Sequence, residues 1–118
     1  KTYHYHFSYV ASGKVNQQPG AAHSDDIAFV MKTLDVELNN VSEKDKQISN
    51  SMHNYWVQFA KTGDPNVPGQ THWTAYNQDN GSVLEIGDTI VLRNDFLNER
   101  INYHINRGTD FLQSMTKQ

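Results

Sequence analysis

Residues 3–10, Tyr-His-Tyr-His-Phe-Ser-Tyr-Val, alternate an aromatic set (Tyr3, Tyr5, Phe7, Tyr9) with a more polar set (His4, His6, Ser8). A period of two predicts a β-strand with one face turned to a core. From Ala11 to Ala22 the apolar periodicity vanishes among Gly13, Pro19, Gly20, two glutamines and an asparagine, which predicts a surface loop. From about Asp25 the positions Ile27, Phe29, Val30, Met31 and Leu34 predict a short, mostly buried helix bounded by Asn39-Asn40.

Ser42-Glu43-Lys44-Asp45 reads as a helix start close to a capping box, with Asp where Glu or Gln is usual. Ile48, Met52, Tyr55, Trp56 and Phe59 then recur at helical spacing and share one face. Gly63 ends this helix, and Asp64-Pro65-Asn66 forbids its continuation. Residues 64–72 form a loop, after which Trp73 and Tyr76 are expected to plug the body of the protein. A turn at Asp79-Asn80-Gly81-Ser82, a strand over 83–86, a reversal at Gly87-Asp88 and a further strand over 90–92 follow. Leu97, Ile101, His104 and Ile105, continued by Phe111 and Leu112 past Gly108, predict a last helix with an inner face.

Composition narrows what this pattern can serve. The 118 residues amount to one domain at most, and a compact fold of that size buries roughly two-thirds of its unfolded surface. Ten basic and 13 acidic residues leave a net charge of −3. They are scattered singly, so no basic stripe exists to neutralise a row of phosphates, and nucleic acid is not an expected partner. The longest apolar run, Ile27 to Met31, is far short of the about 20 residues a membrane span needs. With no cysteine, disulfides and thiolate chemistry are excluded within these residues.

The chemistry on offer is imidazole and carboxylate. His23 sits between a small-residue turn, Pro19-Gly20-Ala21-Ala22, and the helix-start residues Ser24, Asp25 and Asp26. A histidine at such a joint is anchored at one end and exposed at the other, which suits a base that must reach a partner; a capping or solvent role is the commoner fate of the residue type. Asp25 and Asp26 read as helix-start acids rather than catalytic ones. His4 and His6 form an H-x-H on one strand face, able to present two imidazoles to zinc with His72 or His53 as a third ligand, but without a diagnostic spacing. No metal and no cofactor are therefore assigned.

Three segments resemble one known family. Gly20-Ala21-Ala22-His23-Ser24-Asp25-Asp26-Ile27 followed by Phe29-Val30 is similar to the histidine segment of type-B carboxylesterases, the cholinesterase-like branch of the α/β-hydrolases. Met52 to Asn66 resembles that family's long late helix and the turn that ends it. Trp73 to Tyr76 with Val83-Leu84-Glu85-Ile86 resembles its Trp-Pro-x-Tyr segment and final strand, Thr74 replacing the usual proline.

The resemblance implies an α/β fold, residues 1–118 being the C-terminal segment of an α/β-hydrolase domain, with outer sheet strands and the helices packed on them. Opening on Lys1 in a strand-like run fits the last part of a longer polypeptide. It also implies that His23 is the triad histidine of a carboxylic ester hydrolase working through an acyl-serine. No Gly-x-Ser-x-Gly occurs here, and the family's chain order is serine, acid, histidine. The rest of the same polypeptide, or a complementary chain, would then supply nucleophile and acid, and the chain alone would be inactive. The competing expectations are a catalytically silent interaction protein of the same superfamily and a small independent His-rich binding module.

Overall fold

The computed structural model describes residues 1–116. Its sheet has the order β1-β2-β3, with β1 (Tyr5–Phe7) parallel to β2 (Val83–Ile86) and β2 antiparallel to β3 (Ile90–Arg93). A parallel pair cannot be joined by a tight turn. The crossover carries a turn of 3₁₀ helix (Ser12–Lys14), α1 (Asp25–Met31), α2 (Leu34–Glu37) and α3 (Glu43–Thr62), and α4 (Asn98–Thr116) follows β3.

The period-two reading of residues 3–10 holds in direction, but the strand is shorter. His4 still accepts from the Leu84 N–H, at 2.9 Å, while the N–H groups of Ser8 and Tyr9 both converge on the Ile86 carbonyl and end the ladder. In register Tyr5 stands beside Leu84 and Phe7 beside Ile86, so the aromatic face continues the buried face of β2. On the other face of β2, Glu85 meets the Arg93 guanidinium at 2.8 Å, one diagonal step across the antiparallel pair.

Tyr9, Phe29, Leu34, Ile48, Met52, Tyr55, Trp73, Leu84 and Ile86 form the core. Trp73 is its plug: its ring lies 5.5–6.1 Å from those of Tyr3, Tyr5, Tyr55 and Trp56, and its indole N–H donates to the His4 carbonyl at 3.0 Å. The latch is the Asp64-Pro65-Asn66 turn. Asp64 Oδ1 accepts from Asn66, whose Oδ1 in turn accepts the Trp73 N–H at 2.7 Å. Tyr76 departs from expectation; it is half exposed and stacks on His4 at 4.1 Å instead of filling the interior.

The capping box expected at Ser42 is complete, Asp45 serving in place of Glu. Ser42 Oγ accepts from the Asp45 N–H at 3.1 Å, and Asp45 Oδ2 accepts from the Ser42 N–H at 2.7 Å. At the other end Gly63 adopts φ 75° and donates to the Phe59 carbonyl at 2.7 Å, a left-handed cap that a side chain would resist. Ser42→Ala is expected to lower unfolding stability by about 1–2 kcal/mol, read by chemical denaturation of the protein that carries this chain. An unchanged midpoint would show that Asp45 alone closes the helix.

Four sequence expectations need correction. The stretch from Asp25 to Leu34 is two helices, because Lys32 takes φ 58° and both Lys32 and Thr33 donate to the Ala28 carbonyl before α2 restarts. Ile27 and Met31, expected inside, are exposed; α1 turns Phe29 and Val30 inward, and residues four apart share the opposite side. Phe59 is also largely exposed, at the rim of an apolar groove of about 320 Å³ that it lines with Tyr3, Tyr5, Trp56 and Trp73. The last helix forms and runs through Gly108, but its expected inner face is bare: Ile101, Ile105, Phe111 and Leu112 are each about half exposed or more. Among the described residues no helix is long and apolar enough to cross a membrane.

Candidate active-site segment

His23 occupies a turn immediately before α1, and its side chain is exposed. The ring makes no hydrogen bond to any described residue, and with Lys14, Ser24, Asp25, Ile27 and Glu37 it lines an open cleft of about 310 Å³. Expected helix-start chemistry is present, but the division of labour is different. Ser24 stands at the N-cap position of α1 with φ 70° and no side-chain bond to the helix.

Asp25 does the local tying. Its Oδ2 reaches back across His23 and Ser24 to accept the Ala22 N–H at 2.8 Å, while its own N–H donates to the Ala22 carbonyl at 3.2 Å. Gln18 Nε2 donates to the same Oδ2 at 2.6 Å, and the Lys14 ammonium meets Oδ1 at 2.7 Å. Partial burial works against ionisation of this carboxyl, but Lys14, the Ala22 N–H and Gln18 outweigh it and hold the pKa below the usual carboxylate range. Asp26 faces elsewhere, accepting from the Tyr5 hydroxyl at 2.6 Å and so binding the start of α1 to β1. Burial first, and then that carboxylate, push the Tyr5 phenol up to about 12. Both acids are thus committed to the scaffold.

The loop's other end hangs on Asp45, which is fully buried. Beyond the capping box it accepts from the Tyr9 hydroxyl at 2.8 Å and from the Ser12 N–H at 3.0 Å, joining β1's exit to the head of α3. Sequence reasoning placed Asp45 at a cap and missed this hub. It missed Lys14 and Gln18 as well, since neither lies in a periodic pattern and nothing local marks them as partners of a residue 11 or 7 positions away.

The histidine pair of β1 is not brought to a third ligand. His4 stacks on Tyr76, the ring of His6 lies 5.0 Å from Phe96, and His53 Nδ1 is held by the Val30 carbonyl at 2.8 Å. Among the described residues no group of three or more histidine, aspartate or glutamate side chains is gathered as a metal would need.

The chain resembles known proteins along nearly its whole length. The model of the carboxylesterase family matches residues 1–104. Bile salt-activated lipase of Mus musculus is 36% identical over 94 residues, covering 76% of this chain and 16% of that protein, and its Homo sapiens counterpart is 39% identical over 90 residues, covering 73% and 12%. Among solved structures, a PNB esterase superposes with a TM-score of 0.73 at 25% identity, covering 85% of this chain and 21% of the other. An esterase from Clostridium hathewayi gives 0.72 at 26%, covering 82% and 19%. This chain therefore spans about a sixth or less of the length of these curated relatives, and its strands and helices are part of an α/β-hydrolase fold. With the match running unbroken from the first strand into the last helix, the chain belongs to the carboxylesterase family.

Proposed function

We propose that residues 1–118 are the C-terminal segment of an α/β-hydrolase domain that hydrolyses carboxylic esters, and that His23 is its catalytic base. The observation that carries this is the free, exposed imidazole of His23 on a turn tied from both sides, at the mouth of an open cleft. The segment also presents surfaces that the rest of such a polypeptide would cover. β1 stands at the edge of the sheet, and the aromatic groove around Phe59 opens beside it.

In this reading His23 takes the proton from a serine hydroxyl as that oxygen attacks the ester carbonyl, then delivers it to the departing alcohol, leaving an acyl-serine. Water enters next. His23 removes its proton as it attacks the acyl group and returns a proton to the serine oxygen when the acid leaves. Serine and the triad acid come from the remainder of the polypeptide or from a complementary chain, and the cycle calls for no metal or organic cofactor.

The test is a comparison of the 118-residue chain with the intact polypeptide on p-nitrophenyl butyrate. The intact protein is expected to turn over and the chain alone to remain at the buffer rate. Hydrolysis by the purified chain alone would overturn the division of the triad.

A further inference from the structure

We propose that Asp25 is the positioning residue for His23, acting as a clamp that closes across the imidazole-bearing turn. The inference rests on the catalytic reading of His23 given above. A carboxylate at the first residue of a helix ordinarily serves the free N–H groups ahead of it. Asp25 instead turns backward, and its two bonds with Ala22 bracket His23 and Ser24 in a small closed ring.

That ring contains a costly element. Ser24 holds φ 70°, a left-handed conformation that a side chain disfavours and that persists only where its surroundings impose it. The imposition is supplied by Asp25, whose carboxylate is itself fixed by Lys14 on one oxygen and Gln18 on the other. Three points of the 3₁₀ turn and loop are thereby drawn onto the residue two places after His23. The imidazole makes no bond to any described residue, so this segment places it only through the backbone beneath it. A base displaced by about 1 Å loses on the order of 100-fold in rate while substrate binding is spared. A residue that only stabilised the fold would change how many molecules are active, not how fast each works.

The experiment uses the intact polypeptide, with sites counted by titration to completion with diethyl p-nitrophenyl phosphate. Asp25→Ala is expected to lower kcat per titrated site by roughly 30- to 100-fold with KM for p-nitrophenyl butyrate within about twofold. Asp25→Asn keeps an acceptor for the Ala22 N–H and loses the ion pair, so most of that rate should return. Lys14→Met, which leaves the Ala22 bond in place, should cost about three- to tenfold and serves as the readout should Asp25→Ala fail to fold. Normal kcat per site in Asp25→Asn, Lys14→Met and any folded Asp25→Ala would overturn the clamp and leave the role of His23 intact. Full activity in His23→Ala would instead remove the catalytic reading on which the clamp depends.

Discussion

His23→Ala in the intact polypeptide is expected to reduce kcat/KM for a short-chain nitrophenyl ester by about 10⁴-fold or more, with the thermal midpoint unmoved. The loss follows from the role: without the base, the serine hydroxyl must shed its proton to solvent and the leaving alcohol must find one there. Knocking out one member of a triad removes nearly all that the triad contributes, because its members act as a unit. The spared stability follows from the structure. The ring is exposed and bonded to no described residue, so its removal strands no donor or acceptor of this segment, and substitutions of that kind stay within about 0.5 kcal/mol. Steady-state kinetics and a melting curve on the same preparation check both halves. Retention of a tenth of the rate would end the assignment, and an intact wild-type protein with no esterase activity would favour the silent-relative alternative.

Asp45→Asn is expected to do the opposite, lowering unfolding stability by roughly 3–5 kcal/mol at neutral pH. The buried carboxylate accepts from the Tyr9 hydroxyl, the Ser12 and Ser42 N–H groups and the Ser42 hydroxyl. An amide offers one acceptor oxygen where there were two and turns an NH₂ toward groups that are donors, and each buried donor left unpaired costs about 1–3 kcal/mol. The effect should depend on pH with a definite sign. Burial disfavours the charge, but the convergent donors outweigh it and hold the Asp45 pKa below its ordinary value. A depressed folded pKa contributes stability above the unfolded carboxyl pKa of about 3.9 and loses it as pH falls through the folded value. The gap between wild type and Asp45→Asn in urea unfolding should therefore be full near pH 6 and shrink below about pH 4. A gap independent of pH would mean that the carboxylate's charge plays no part.

The two substitutions separate chemistry from scaffold, and they show which parts of each were legible beforehand. His23 is proposed as the base because its segment resembles the family's histidine segment; the residues alone favour a capping or solvent role. The capping box at Ser42 and the stop at Gly63 were legible because local chemistry is written in neighbouring residues. Lys14, Gln18 and the wider partnership of Asp45 were not, because each contact joins residues that only the folded crossover brings together.

The faces of helices mark the same boundary. The spacing of Ile48, Met52 and Tyr55 announced a buried stripe, and those three are buried. Equally regular spacing at Ile101, Ile105 and Leu112 announced another, yet in the described residues nothing lies against it. Phe59 is exposed at the rim of the aromatic groove, and Ile27 and Met31 on the side of α1 away from the buried Phe29 and Val30.

What the amino-acid order alone determined was the strands, the long helix with the capping box and glycine stop that bound it, the last helix, and the family resemblance. Periodicity and capping act over a few residues, so they survive in one dimension. Only the tertiary structure decided that Ser24 is held left-handed, that Asp25 reaches backward to hold it, that Asp26 is taken up by Tyr5, and that the His4/His6 pair has no third ligand among the described residues. Those outcomes depend on which distant groups come within about 3 Å of one another, a matter settled by how the crossover folds back over the sheet.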